Sequence, residues 1–287
     1  MTAVTGRPAV PAPAAPPRPR PLRIAARSLR DRRRALLAWS GGIAVYVALI
    51  VAMWPTIRGD SAMTEAIQNY PDAMKELFGG AANFDYTKPG GYLNTQLFSL
   101  MMPLFLTAFA ISYAASTVAG EERAGQLDLV LATPVSRRRL LLEKAVAVAA
   151  GVVALTAVVT LVVLGVGVTV DLGVGTADVL AACVGSGVVA LVYGALTLAV
   201  GAATGRRALA VGVGSAAFAA GYLLEALSGL VEGLKPLRPL SALHLANGSV
   251  PITTGFPVAN LLVLGLVVAV FVGLAAVLFE RRDLGTS

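Results

Sequence analysis

The chain has 287 residues, 56% of them hydrophobic and only 14% charged, and its mean hydropathy of +0.76 leaves more apolar surface than a water-soluble core can hide. One cysteine, Cys183, and one histidine, His244, exclude a disulfide framework, a Cys-rich metal cluster and a paired-histidine zinc motif. No lysine is followed by Ser or Thr, so the chain has no Walker-type phosphate loop, and its net charge of +7 comes from arginines that flank apolar runs, a pattern of membrane topology rather than of nucleic-acid binding.

In chain order, residues 1–21 are rich in Pro and Ala and carry too little apolar bulk to fold, which predicts a disordered cytoplasmic tail rather than a cleavable signal. Residues 22–34 combine Leu22, Ile24 and Leu29 with arginines that include Arg23, Arg27, Arg30 and Arg33, the pattern of an amphipathic helix lying on a membrane surface. Six apolar runs follow, at about 35–54, 96–119, 145–170, 179–203, 208–231 and 258–279, each long enough to span a bilayer as a helix. Trp39 and Trp54 flank the first as interface anchors, and Pro103 predicts a kink in the second. The fold class is therefore an all-α integral membrane protein.

Between the first two runs, residues 55–95 hold Ala62, Met63, Ile67, Leu77 and Phe78, which predict short helices at the outer interface, broken at Pro71. Between the last two, the Pro-, Gly- and Leu-rich stretch around Lys235 to Leu245 is too apolar for a free loop and too broken for a span, which predicts a re-entrant outer hairpin. Gly187, Gly194 and Gly201 recur at sevenfold spacing, as do Gly214, Gly221 and Ser228; each set falls on nearly one helix face and reads as tight helix packing. With the N-terminus inside, 18 of the 23 Lys and Arg residues lie on the inner side, which predicts six spans with both termini cytoplasmic.

The inner loop at 120–144 reads GEERAGQLDLVLATPVSRRRLLLEK. Gly125 permits a sharp bend, Leu127, Val130 and Leu131 share one helical face, Pro134 ends that helix, and Ser136 is placed to cap the next one. On pattern alone this is either a lipid-facing connector or a docking helix.

The acidic pair, glycine, leucine-rich helix and P-V-S-R exit resemble the cytoplasmic coupling segment of permease subunits in the type-two ABC exporter group. The arginine-rich entry helix, six spans, broken segment before the last span and F-E-R-R-D-L ending resemble the same group. The resemblance implies that Glu121, Glu122, Arg123, Gly125, Leu127, Val130, Leu131 and Pro134 dock a separate ABC ATP-binding subunit, present in two copies and binding ATP and Mg. It also implies that this chain carries no cofactor and no catalytic residue. Such transporters need twelve spans, so a second permease half is expected, identical or related.

Glu225 in the fifth span is an ionisable group in a costly place and reads either as an interfacial residue or as part of a gate or pathway. His244 reads as a packed outer residue. The cargo expected is a hydrophobic or amphipathic small molecule, drug- or antibiotic-like. An Arg-heavy composition, 19 Arg to 4 Lys, points to a GC-rich bacterium of the actinobacterial kind. Two other classes compete: an ion-coupled carrier or channel without an ATPase, which would place ionisable groups in several spans, and a membrane enzyme, which would need a convergent polar site.

Overall fold

The computed structural model describes residues 22–58, 69, 71, 88–123 and 136–282. Helix α1 spans Arg23–Asp31, and Arg32, outside helical geometry at φ −101° and ψ 8°, forms an elbow into α2, Arg33–Ala52. Helix α3, Trp54–Ile57, prolongs the first span. The second span is composite: α4, Pro89–Leu93, a π-helical turn, Asn94–Phe98, and α5, Met101–Arg123. Spans three to five are α6, Arg137–Thr169, α7, Thr176–Thr204, and α8, Arg207–Ser228. A 3-10 segment, Glu232–Leu240, then α9, Ala242–Asn247, and α10, Pro251–Thr254, lead to the last span, α11, Val258–Arg281. Among the described residues, six helical segments are long and apolar enough to cross a membrane.

Several boundaries differ from the sequence reading. The amphipathic helix ends at Asp31, so Arg33 belongs to the first span's helix rather than to the surface helix. Span two begins at Pro89 rather than at 96, because its π turn lets the chain stay helical through a Gly-rich entry. At its other end the helix runs on through 121–123, which places Glu121, Glu122 and Arg123 on the stem of the loop. Span three begins at Arg137 rather than at 145, with the Ser136 hydroxyl accepting the Arg139 N–H at 3.4 Å, so Glu143 and Lys144 lie within the helix. The expected interface helices of the first outer segment fall outside the described residues, as do Gly125, Leu127, Val130, Leu131 and Pro134.

A π turn, Asn94–Phe98, lies just upstream of Pro103, which itself sits within α5. Proline has no N–H to give, so carbonyls one turn back lose their partners, and helices break or bulge at such points. Here Ser99 N–H reaches Asn94 O at 2.7 Å, and the Asn247 side-chain amide donates to Phe98 O at 2.8 Å.

Span four, α7, is the hub and packs against α5, α6, α8 and α11. Its glycines explain how closely. A Cβ at Gly194 would stand 3.1 Å from the Ala110 methyl, and one at Gly187 would stand 2.7 Å from Thr156 Oγ1. On span five, a side chain at Gly214 or Gly221 would collide with Thr197 or Tyr193 of α7. Both sevenfold rows are thus packing seams, where small residues let helix backbones approach in lipid.

Spans one, five and six keep broad apolar faces outward. Leu37, Val45 and Leu49 on span one, Leu209 and Leu223 on span five, and Leu262, Leu266 and Val270 on span six are all exposed. Such faces are stable against hydrocarbon or another apolar helix, not against water.

Candidate functional site

Two polar clusters stand at opposite ends of the spans. At the arginine-rich end, α1 is bound to the helices that lead into and out of the 120–144 loop. The Glu143 carboxylate of α6 accepts the N–H of Ile24 at 2.8 Å and that of Ala25 at 3.4 Å. These are first-turn donors of α1 with no partner inside the helix, and no side chain of α1's own N-cap residue, Leu22, serves them. An anionic side chain at this position also opposes the positive end of the helix dipole. Arg139, one turn before Glu143, holds the same carboxylate at 3.0 Å, so the buried charge is compensated.

The other flank of α1 meets span two. The Ser28 and Tyr113 hydroxyls are 3.1 Å apart, and the Arg32 guanidinium stands over the Tyr113 ring at 5.0 Å from its centroid. Arg137 donates through Nη1 to the Arg282 carbonyl at 2.8 Å, tying the start of α6 to the end of α11. The Arg282 side chain in turn covers Gly205, the φ +65° residue that ends α7, where any Cβ would strike the guanidinium. Loop stems, surface helix and the span four to five turn are therefore one connected layer.

Of the four arginines read as surface-helix residues, Arg27 pairs with Asp31 at 3.8 Å in full exposure, and Arg30 reaches back to Ala26 O at 3.3 Å. Arg23 has helical backbone in α1, and Arg33 is exposed at the start of α2. Glu143, Ser28, Tyr113 and Arg32 make polar contacts that fix α1 to the bundle, beside the apolar packing of Ala25, Ile24 and Leu29. Glu143 carried one legible signal, its i,i+4 spacing from Arg139. Its long-range reach to α1 has no mark in the sequence.

At the opposite end Glu225 is clamped. Arg238 donates to both carboxylate oxygens, Nε at 3.2 Å and Nη2 at 2.8 Å, and His244 Nδ1 lies 3.1 Å from Oε2. Ser241 donates to the Gly221 carbonyl at 2.9 Å while accepting the His244 N–H at 3.3 Å, so it caps α9 and fastens it to α8. The broken segment between spans five and six is thus pinned to span five through a bidentate ion pair, the stronger form of such contacts. Glu225 is therefore paired, with Arg238 and His244 as its direct partners. Among the described residues no group of three or more His, Cys, Asp or Glu stands together as a metal site.

A family model described as ABC-2 family transporter protein matches residues 22–284, nearly the whole chain from the surface helix to the end of the last span. The chain belongs to that family. It is a multi-pass membrane protein and the transmembrane subunit of an ABC transporter. Membership also implies an ABC ATP-binding partner. No curated protein gave a match.

Proposed function

We propose that this permease is the membrane-spanning half of an ATP-driven exporter that carries a hydrophobic or amphipathic small molecule, drug- or antibiotic-like, out across a bacterial cytoplasmic membrane. Two copies of a separate ATP-binding subunit hold ATP and Mg, and each docks on a 120–144 segment. Glu121, Glu122, Arg123 and Gly125 form the elbow of that segment, and Leu127, Val130, Leu131 and Pro134 its docking face. A second permease half, identical or related, completes the pathway, and both termini lie in the cytoplasm in accord with the 18 to 5 division of basic residues.

The observation that carries this reading is the attachment of α1 to both stems of the segment, by Glu143 on one side and Tyr113 on the other. A displacement imposed on the segment reaches spans two and three and the surface helix together, as an ATP-driven rocking motion requires. On the exit side the Glu225, Arg238 and His244 clamp holds the broken outer segment over span five. Outward opening would have to release or carry that clamp, which gives Glu225 a gating role.

The test is reconstitution of the permease with its cognate ATP-binding subunit in inside-out vesicles. ATP-dependent uptake of a lipophilic dye is the expected result. Uptake that proceeds without the ATP-binding subunit, driven by an ion gradient, would overturn the reading.

A further inference from the structure

Between α2 and α5 a groove runs along the side of the molecule. At the arginine-rich end Leu29, Arg32, Leu36, Trp39, Phe109 and Tyr113 enclose about 90 Å³. Further along, Trp39, Gly42, Ile43, Tyr46 and Phe105 line an open concavity of about 370 Å³. Trp39 lines both, so the two adjoin. From Arg32 to Tyr46 the helix rises ~21 Å, more than half of the ~30 Å hydrocarbon thickness.

Aromatic pairs join the two helices at the groove: Trp39 meets Phe109 edge-on at 6.1 Å, and Tyr46 meets Phe105 edge-on at 5.3 Å. The floor is open because a Cβ at Gly42 would meet nothing within 4 Å. One end is therefore cationic and the remainder apolar and aromatic, the division of a phospholipid turned inside out.

We propose that this groove seats an anionic phospholipid from the leaflet on the arginine-rich side, with its phosphate at Arg32 and one acyl chain along Trp39, Gly42 and Tyr46. Charge complementarity chooses the occupant. A guanidinium matches phosphate oxygens in a planar fork. The surrounding surface of span one, Leu37, Val45 and Leu49, is exposed and requires an apolar solvent. A lipid so placed bridges the elbow between α1 and α2 to span two and stiffens the joint through which α1 moves. The proposal goes beyond the transport reading and does not depend on it.

Trp39 reports on the site directly. In a Trp54→Phe background it is the sole tryptophan. The full chain is reconstituted in phosphatidylcholine vesicles carrying a titrated minor fraction of brominated phosphatidylglycerol or of brominated phosphatidylcholine, and Trp39 quenching is read without ATPase or cargo. Equal quenching by the anionic lipid is expected at about fivefold lower mole fraction, the preference one basic side chain confers. Arg32→Gln should abolish that preference and Arg34→Gln should keep it. Gly42→Leu, whose side chain enters open space, should reduce quenching by both lipids even if Arg32→Gln impairs folding. Three results would overturn the proposal: equal quenching by the two lipids, equal losses in Arg32→Gln and Arg34→Gln, which marks diffuse surface attraction, or no quenching by either, which marks a groove covered by protein.

Discussion

Glu143 and Ile24 are 119 positions apart, yet the carboxylate of one accepts the backbone N–H of the other at 2.8 Å. That contact makes the start of span three the cap of the surface helix. Helix α1 spans nine residues, too short to hold its shape alone. Its order and its position both come from the bundle, so force at the loop stem passes into it without a flexible joint.

Removing the cap should release α1. Glu143→Ala removes the acceptor of the Ile24 and Ala25 N–H groups, at a cost of about 1–3 kcal/mol to the docked state. Amide exchange at Ile24 and Ala25 should rise by about fivefold or more, with exchange in α7 unchanged. Glu143→Gln, which keeps an acceptor but not the charge, should fall between. Unchanged protection of α1 in Glu143→Ala would show that packing of Ala25 and Ser28 holds the helix without the cap.

The outer clamp should behave as a unit. Its ion pair is half-buried and bidentate, so Glu225→Gln and Arg238→Gln should each loosen α9 by about 1–3 kcal/mol. The double variant should cost little more than either alone, because the coupling is already lost. Amide exchange in Ala242–Asn247 reads this, and additive losses would contradict a shared clamp. Neither change reaches the 120–144 loop, so association with the ATP-binding subunit should stay normal while export changes.

Close helix contacts give a stability prediction. Gly194→Val forces a branched side chain against Ala110 on the most buried span. Overpacking of this kind costs about 1–3 kcal/mol, so the midpoint of thermal unfolding in detergent should drop. Gly212→Val, where a Cβ meets nothing within 4 Å, is the control and should leave it unchanged.

Orientation is checked with single cysteines in a Cys183→Ala background, since the native thiol is buried. Ser136 and Gly233 are both exposed at opposite ends of the spans. Ser136→Cys should react with an impermeant reagent only from the inside and Gly233→Cys only from outside. The reverse pattern would invert the topology.

The spans were legible because hydrocarbon imposes one simple rule, a long apolar run with charges at its ends, and the glycine rows were legible because sevenfold spacing returns to one face. A short helix ahead of the first span was legible in the sequence, but not the elbow at Arg32, since nothing in an arginine run marks which residue leaves helical geometry. Glu225 stood out as a charge in a costly place. Its partners Arg238 and His244 did not, because they lie 13 and 19 residues away across a 3-10 segment whose path depends on tertiary packing. Glu143 was hidden for the same reason: an i,i+4 partner is local, and a cap on a helix 119 positions away is not.

Docking through the 120–144 segment is the central claim, and its most direct test is the affinity of the purified permease for its cognate ATP-binding subunit, measured with Leu127→Asp and Leu131→Asp beside the unaltered chain. Burying a leucine-sized side chain in a partner's cleft contributes about 1.5–3 kcal/mol, so each charge substitution should weaken binding by tenfold or more, and ATP-dependent export should fall with it. Normal affinity and normal export in both variants would show that this segment is a surface connector and that the ATP-binding subunit docks elsewhere.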